Sequence, residues 1–155
     1  MNPHRRILLC LNLTDLDPAV MGYANLISRL SPPERLDVVH VLDLMQLPDE
    51  MLEAEPTLVE AAAERTRSAL GDLAALHLRL PVSCELRVQV LRGNPIEGLA
   101  RYAKKHRFNL IIVGRDPQKA RAGTLPERIA RVAPCSVLVV PRGVEPEVRS
   151  ILVPV

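Results

Sequence analysis

The stretch NLIIVGRDPQKARAGTLPERIARVAPCSVLVVP, residues 109–141, contains the signals that decide the fold. Its first apolar run, Leu110–Val113, is followed by a loop with a glycine near each end. A helix is predicted from Thr124 to Ala133, and a second apolar run, Val137–Val140, comes after it. Short unbroken apolar runs are typical of buried parallel strands. The order of strand, loop, helix and strand therefore predicts a parallel α/β unit.

The same alternation extends toward the amino terminus. Ile7–Leu11 and Leu36–Leu42 are further apolar runs, and each predicts a buried strand. Between them, Asp17-Pro18 predicts the start of a helix, with Asp17 as its cap and proline at the first helical position. Apolar residues recur in this helix at helical spacing, namely at Val20, Tyr23, Ile27 and Leu30.

A long helix is predicted after the second strand. Thr57 and Glu60 have the spacing of a capping box, and the helix is expected to end near Leu80. Its core face is expected to contain Val59, Ala62, Thr66, Ala69, Leu73, Leu76 and Leu80.

The next region predicts an edge strand and one more helix. Apolar and polar residues alternate from Val82 to Val90, as expected for a half-exposed strand at a sheet edge. Asn94-Pro95 predicts a helix that runs to about His106. The complete alternation predicts a doubly wound parallel sheet of five strands with helices on both faces. An edge position for the third strand suits the order 3-2-1-4-5, in which ligands bind where the winding reverses, between strands one and four.

Composition excludes several classes of function. With 155 residues, 48% of them hydrophobic, the chain suits one domain with its own core. No apolar run reaches the roughly 18 residues that a membrane span needs, so no membrane partner is expected. The net charge of +2, one Phe, two Tyr and no Trp argue against nucleic acid as a partner.

The reactive residue types form no recognisable catalytic or metal-binding set. The three cysteines contain no CxxC pair, and the four histidines show no metal spacing, so no metal site is expected. Neither a serine nor a cysteine has a visible histidine partner, and no carboxylate pair is placed for acid–base work. The sequence therefore predicts a protein without enzymatic activity, and its unpaired cysteines fit the reducing cytoplasm.

Four segments resemble the universal stress protein family: RRILLCLNLTD (5–15), LDVVHVLD (36–43), VLRGNPIEGLARYAKKHRFNLIIVG (90–114) and PERIARVAPCSVLVVP (126–141). The resemblance covers nearly the whole chain. It implies a Rossmann-like fold of the adenine nucleotide alpha hydrolase-like type, with ATP or AMP as the ligand. It also implies a cytoplasmic protein that forms a homodimer or pairs with a second domain in the same chain.

The nucleotide-binding loop departs from the family's pattern, which is G-x-x-G, nine residues, then G-S or G-T. Gly114 matches the first glycine, Pro117 replaces the second, and only five residues separate Pro117 from Gly123. Proline lacks the N–H that a phosphate would accept, and the shorter loop cannot follow the same path around a triphosphate. Asn12 also stands where the family places an aspartate against the ribose.

The resemblance implies a candidate nucleotide site formed by Asn12, Val41, Gly114, Arg115, Lys119, Arg121, Gly123 and Thr124. Val41 falls at the family's adenine contact. The basic residues either hold an anion or form a solvated loop. Thr124 either forms a capping box with Glu127 or contacts a phosphate at the helix N-terminus, and Asn12 either simply ends a strand or binds the ribose.

Two functions stay open on this basis. The favoured one is an interaction and dimerisation module of the stress response whose nucleotide pocket has degenerated. The alternative is a sensor that binds ATP or AMP weakly through a remodelled loop. Whether the purified protein carries nucleotide distinguishes them.

The end of the chain repeats its beginning. RSILVPV (149–155) resembles RRILLCL (5–11), and Ile7 and Ile151 stand 144 residues apart. Because a long internal period indicates repeated units, we expect a universal stress protein domain at 1–141, a linker at 142–148 and the first strand of a second domain at 149–155. The alternative for 149–155 is an extra C-terminal strand that pairs with its own sheet or with a second copy.

Overall fold

Strands and helices alternate along the chain as predicted. A computed structural model describes residues 5–44, 48–54, 56–116 and 124–149. The elements are β1 (Arg6–Cys10), α1 (Asp17–Leu30), β2 (Arg35–Leu42), α2 (Asp49–Ala54), α3 (Pro56–His77), β3 (Glu85–Arg92), α4 (Pro95–Lys105), β4 (Leu110–Arg115), α5 (Leu125–Val132) and β5 (Ser136–Pro141).

The sheet has the predicted topology. Its five strands are all parallel and lie in the order β3-β2-β1-β4-β5. Ile7 of β1 is in register with Leu36 of β2 on one side and with Leu110 of β4 on the other. The predicted doubly wound fold class is therefore confirmed, and the winding reverses between β1 and β4.

The sheet separates two hydrophobic cores. Ile7, Leu9 and Leu11 face the core formed with α1 and α3. Leu8 and Cys10 face the opposite core, which α4 and α5 cover. Because β1 is buried on both faces, its sequence is an unbroken apolar run rather than an alternating one.

The predicted core face of α3 is wrong in part, since Leu73 and Leu80 of the predicted set do pack against the core. The buried residues of this helix are Ala63, Leu70 and Ala74, whereas Leu76 is 64% exposed. Apolar residues lie on several sides of this alanine-rich helix, so their spacing does not single out one face. Leu70 and Ala74 are the buried residues of this helix that belong to the core beneath the sheet.

The ends of the long helix also differ from the prediction. The helix begins at Pro56 and ends at His77, so Thr57 lies inside it rather than at its cap. Glu60 instead pairs with Arg92 at the end of β3, and the predicted capping box does not form. The separate short helix α2 is not predicted by the sequence, since prolines on both sides suggest an irregular stretch.

Two predictions about exposed positions have different outcomes. The edge position of β3 is confirmed, although the strand runs over residues 85–92 and leaves Val82 in the turn before it. Leu30 is expected on the apolar stripe of α1, but it is 74% exposed because it is the last residue of that helix.

A buried polar cluster lies at the amino ends of the strands. Asp37 is fully buried and accepts two bonds of 2.7 Å from the Arg35 guanidinium, one on each carboxylate oxygen. The Tyr102 hydroxyl donates to Asp37 Oδ2 at 2.6 Å. Burial, followed by this hydrogen bond, raises the pKa of Tyr102 above its ordinary value. The Arg35 guanidinium also stacks over the ring of Phe108, 5.5 Å from its centroid. Sequence reasoning does not find this cluster.

Tyr102→Phe tests the contribution of the cluster. The variant removes a hydrogen bond to a buried carboxylate, so we expect the free energy of unfolding to fall by about 1.5–3 kcal/mol. Tyr23→Phe is the matched control, because the Tyr23 hydroxyl donates only to the neutral carbonyl oxygen of Glu145, at 2.8 Å, and should cost about 0.5–1.5 kcal/mol. Urea unfolding measures both. An equal or smaller loss in Tyr102→Phe would contradict a stabilising role for the cluster.

Candidate functional site

A crevice lies beyond the carboxyl ends of β1 and β4 and consists of two adjoining cavities. The first, of about 400 Å³, is called here the Val41 cavity and is lined by Cys10, Asn12, Val41, Asp43, Asn94, Pro95, Ile96, Leu99, Leu125 and Arg128. The second, of about 330 Å³, is called the Gly114 cavity and is lined by Asn12, Thr14, Asp15, Leu16, Gly114, Arg115, Asp116, Thr124, Leu125, Pro126 and Arg142. Asn12 and Leu125 line both.

The structure brings most of the predicted site residues together. Asn12 lies between the two cavities, Val41 lines the first, and Gly114, Arg115 and Thr124 line the second. The remaining candidates, Lys119, Arg121 and Gly123, lie outside the described residues, as does Pro117. Their participation stays a prediction.

Asp17 shapes the loop that carries Asn12, and its predicted role as a helix cap is wrong. The capping position is Leu16, which has no side-chain cap bond, while Asp17 is inside the helix and 2% exposed. Its carboxylate points back along the chain and accepts the N–H of Asn12 at 3.1 Å and of Thr14 at 3.3 Å. Burial raises the pKa of Asp17, and these backbone donors oppose the shift. Asn12 is thereby fixed at the mouth of the crevice.

Gly114 allows close packing between β4 and α1 at this site, in addition to any role in a loop. It is a residue of β4, paired with Val140 of β5. A Cβ atom at this position would lie 2.6 Å from Leu16 Cδ2 and 3.0 Å from Val20 Cγ2. The absence of a side chain therefore lets α1 approach β4 closely.

The predicted capping box at α5 is wrong as well. Thr124 is the capping residue, but its side chain makes no cap bond, and its buried Oγ1 has no partner among the described residues. Glu127 is occupied by Arg115, whose Nε lies 2.9 Å from Glu127 Oε1. A full charge attracts the carboxylate more strongly than a backbone N–H does. The Thr124 hydroxyl does not accept a backbone N–H of the helix either, and Thr124 lies in the wall of the Gly114 cavity.

Arg142 is the residue of the crevice that sequence reasoning misses. Its guanidinium lies 2.7 Å from Asp15, after β1, and 3.0 Å from Asp116, after β4. Its backbone N–H donates to the carbonyl oxygen of Arg115 at 3.1 Å. Hydrogen bonds to Asp15 and Asp116 raise the pKa of Arg142 above its ordinary value. The signal in the sequence is a basic residue directly after a strand whose carboxyl end meets the crevice.

Neither metal chemistry nor thiol chemistry is apparent in the described part of the chain. Burial raises the pKa of Cys10, at the wall of the Val41 cavity, to about 12, which disfavours the thiolate form that reacts. The residues that the structure describes contain no group of three histidine, cysteine, aspartate or glutamate side chains placed to hold a metal ion. Among the same residues, no helix has the length and apolar character to cross a membrane.

The doubly wound parallel sheet with a crevice at its switch point defines a Rossmann-like α/β domain. More specifically, the chain belongs to the universal stress protein family, whose model matches residues 3–141. No curated protein matches the chain.

Solved structures share the fold at low sequence identity. The hypothetical protein MJ0577 has a TM-score of 0.75 and 18% identity, with 92% of this chain and 99% of that chain covered. A universal stress protein from Archaeoglobus fulgidus in complex with dAMP has a TM-score of 0.60 and 18% identity, covering 88% of this chain and 98% of that one. A universal stress protein from Archaeoglobus fulgidus DSM 4304 has a TM-score of 0.57 and 16% identity. The match covers 90% of this chain and 44% of that chain.

Gly114→Ala tests the close packing at the crevice. The new Cβ would meet Leu16 and Val20, both buried, so we expect the free energy of unfolding to fall by about 1–3 kcal/mol. Gly71→Ala is the control, because Gly71 lies inside α3 and a Cβ atom there would meet nothing outside its own helix backbone within 4 Å. That variant should gain about 0.5–1 kcal/mol. Denaturant unfolding compares the two, and a neutral Gly114→Ala would show that α1 and β4 can separate freely.

Proposed function

We propose that this domain is an interaction and dimerisation module of the cytoplasmic stress response, with a crevice that binds adenine nucleotides only weakly. The observation that carries the proposal is the pairing of charges in the Gly114 cavity. Arg115 is held by Glu127, and Arg142 is held by Asp15 and Asp116. A ligand's phosphates must compete with these carboxylates for both cations.

The competition disfavours a triphosphate most. ATP brings several negative charges into a space that already holds carboxylates, and like charges at close range repel one another. Pro117 and the shortened loop remove backbone donors that the family pattern supplies. Each lost hydrogen bond to a charged group is worth about 1.5–3 kcal/mol, so two lost bonds weaken binding by about 10²–10⁴ fold. The proposal assigns no enzymatic activity to the domain.

A second candidate function, an adenine nucleotide sensor, is favoured by the Val41 cavity. Its volume of about 400 Å³ lies within the usual range of small-molecule sites. In this candidate Val41 contacts the base, Asn12 binds the ribose, and the Thr124 hydroxyl donates to a single phosphate. Lys119, Arg121 and Gly123 would complete the phosphate contacts. One relative of the same fold was solved with dAMP, which makes AMP a better probe than ATP.

Calorimetry with ATP, AMP and adenosine on residues 1–155 tests the proposal. We expect ATP to bind no tighter than high micromolar, because its phosphates meet the carboxylates of Asp15, Asp116 and Glu127 and compete with them for Arg142 and Arg115. Thr124→Val is a control with nearly unchanged shape, and it should weaken AMP but leave adenosine unaffected. Low-micromolar binding of ATP, or nucleotide released from the purified protein by denaturation, would support the sensor instead.

The partner of the domain is proposed to be a second universal stress protein domain, either in a second copy or in the same chain. Support for the tandem form comes from the resemblance of residues 149–155 to residues 5–11. Further support is that one universal stress protein of this fold is longer, since the match covers 44% of that chain. In this proposal the domain at 1–141 is followed by a linker at 142–148 and by the first strand of the next domain.

The natural reading frame tests the tandem form. We expect it to continue past Val155 into a second alternation of strands and helices, because the repeat begins at the position of a first strand. Sequencing the complete gene decides this. A stop codon directly after Val155, or a continuation without such an alternation, would leave the homodimer as the proposed assembly.

A further inference from the structure

One side chain ties together three of the four chain segments that line the Gly114 cavity. Arg142 follows β5, and its guanidinium bridges Asp15 after β1 and Asp116 after β4. We call this arrangement the Arg142 clasp. The side chain of Asp116 is 16% exposed, that of Arg142 is 36% exposed and that of Asp15 is 75% exposed, so only the Asp116 side of the clasp is shielded from water. Its geometry fixes the spacing of the two loops that face each other across the crevice.

The two carboxylates present Arg142 with the oxygens that a phosphate would offer. A guanidinium binds carboxylate and phosphate groups through the same planar fork of N–H donors. Thr124 and Arg115 line the same cavity, so an anion that entered it would lie within the surroundings of the clasp. The two carboxylates take up two of the five N–H donors of Arg142 and offset its positive charge, so an incoming phosphate gains less from Arg142 and is repelled by both aspartates.

We infer that Asp15 and Asp116 act as an internal substitute for phosphate, which occupies Arg142 and keeps phosphate groups out of the Gly114 cavity. The inference rests on the proposed function and deepens it, since it names the residues that limit nucleotide binding. Arg142 is thus an anion-binding residue of the Gly114 cavity, and the two aspartates are its intramolecular competitors. The ligand class that they exclude is a phosphate group, free or attached to a nucleoside.

The double variant Asp15→Asn with Asp116→Asn tests the inference. Both substitutions keep the side-chain shape and remove the charge, so Arg142 stays in place but is held only by neutral acceptors. We expect AMP, ATP and inorganic phosphate to bind about fivefold tighter or better than to the unchanged chain. Adenosine should bind with unchanged affinity. Calorimetry at low salt measures all four ligands, and the gain should shrink as salt is raised.

A triple variant that adds Arg142→Gln separates two causes of tighter binding. One is that Arg142 becomes available to the phosphate, and the other is that two negative charges no longer repel the phosphate. If Arg142 supplies the gain, affinity for AMP and phosphate returns to within about twofold of the unchanged chain. If the triple variant keeps the gain, repulsion alone explains it and the inference is wrong. A double variant without any gain, or one that also binds adenosine more tightly, overturns it too.

Two further measurements keep the test decisive. Circular dichroism and a denaturation midpoint confirm that each variant folds. Asp15→Asn alone changes the more exposed partner, 75% exposed in its side chain, and it should give a smaller gain because Asp116 still holds Arg142. The affinity of the unchanged chain for ATP decides the proposed function, whereas only the differences between variants decide the inference, so the two can fail separately.

Discussion

The parallel pairing of β1 with both β2 and β4 is the constraint on which the rest of the structure depends. It buries β1 on both faces, which is why its residues are apolar without alternation. It also directs the chain to opposite sides of the sheet after β1 and β4, and the two loops part there to leave a crevice. The position of the site is therefore a consequence of strand order, and its chemistry is set by the loops.

Shape and charge give the crevice opposite tendencies. The Val41 cavity offers an apolar wall and a volume suited to a nucleoside. The Gly114 cavity has its cations matched by carboxylates through Arg115–Glu127 and the Arg142 clasp. The carboxylates of such pairs offset the positive charge that a ligand's phosphate would meet. In this universal stress protein domain, the Gly114 cavity thus contains ion pairs that join the loops around it.

Much of the fold could be predicted from the sequence, because strand burial and strand order leave direct traces in apolar runs such as Ile7–Leu11. The capping residue Asn94 was also predictable, and its side chain accepts the N–H groups of Ile96 and Glu97. Charged partners distant in the chain were not predictable. Glu127 at α5 meets Arg115 instead of its own helix N-terminus, and local spacing contains no information about such pairs.

Arg142, which bridges two loops of the candidate site, could not be predicted from the sequence either. The polar residues after β5 predict that Arg142 belongs to a linker, yet this segment is fixed at two points. Arg142 joins the crevice, and three residues later the carbonyl oxygen of Glu145 accepts the hydroxyl of Tyr23 on α1, where Pro146 also packs against Gly22. A change at the clasp therefore acts at the start of the segment that leads toward residue 149. The segment after β5 therefore belongs to the packed domain, because one side chain joins it to the crevice and one carbonyl oxygen joins it to α1.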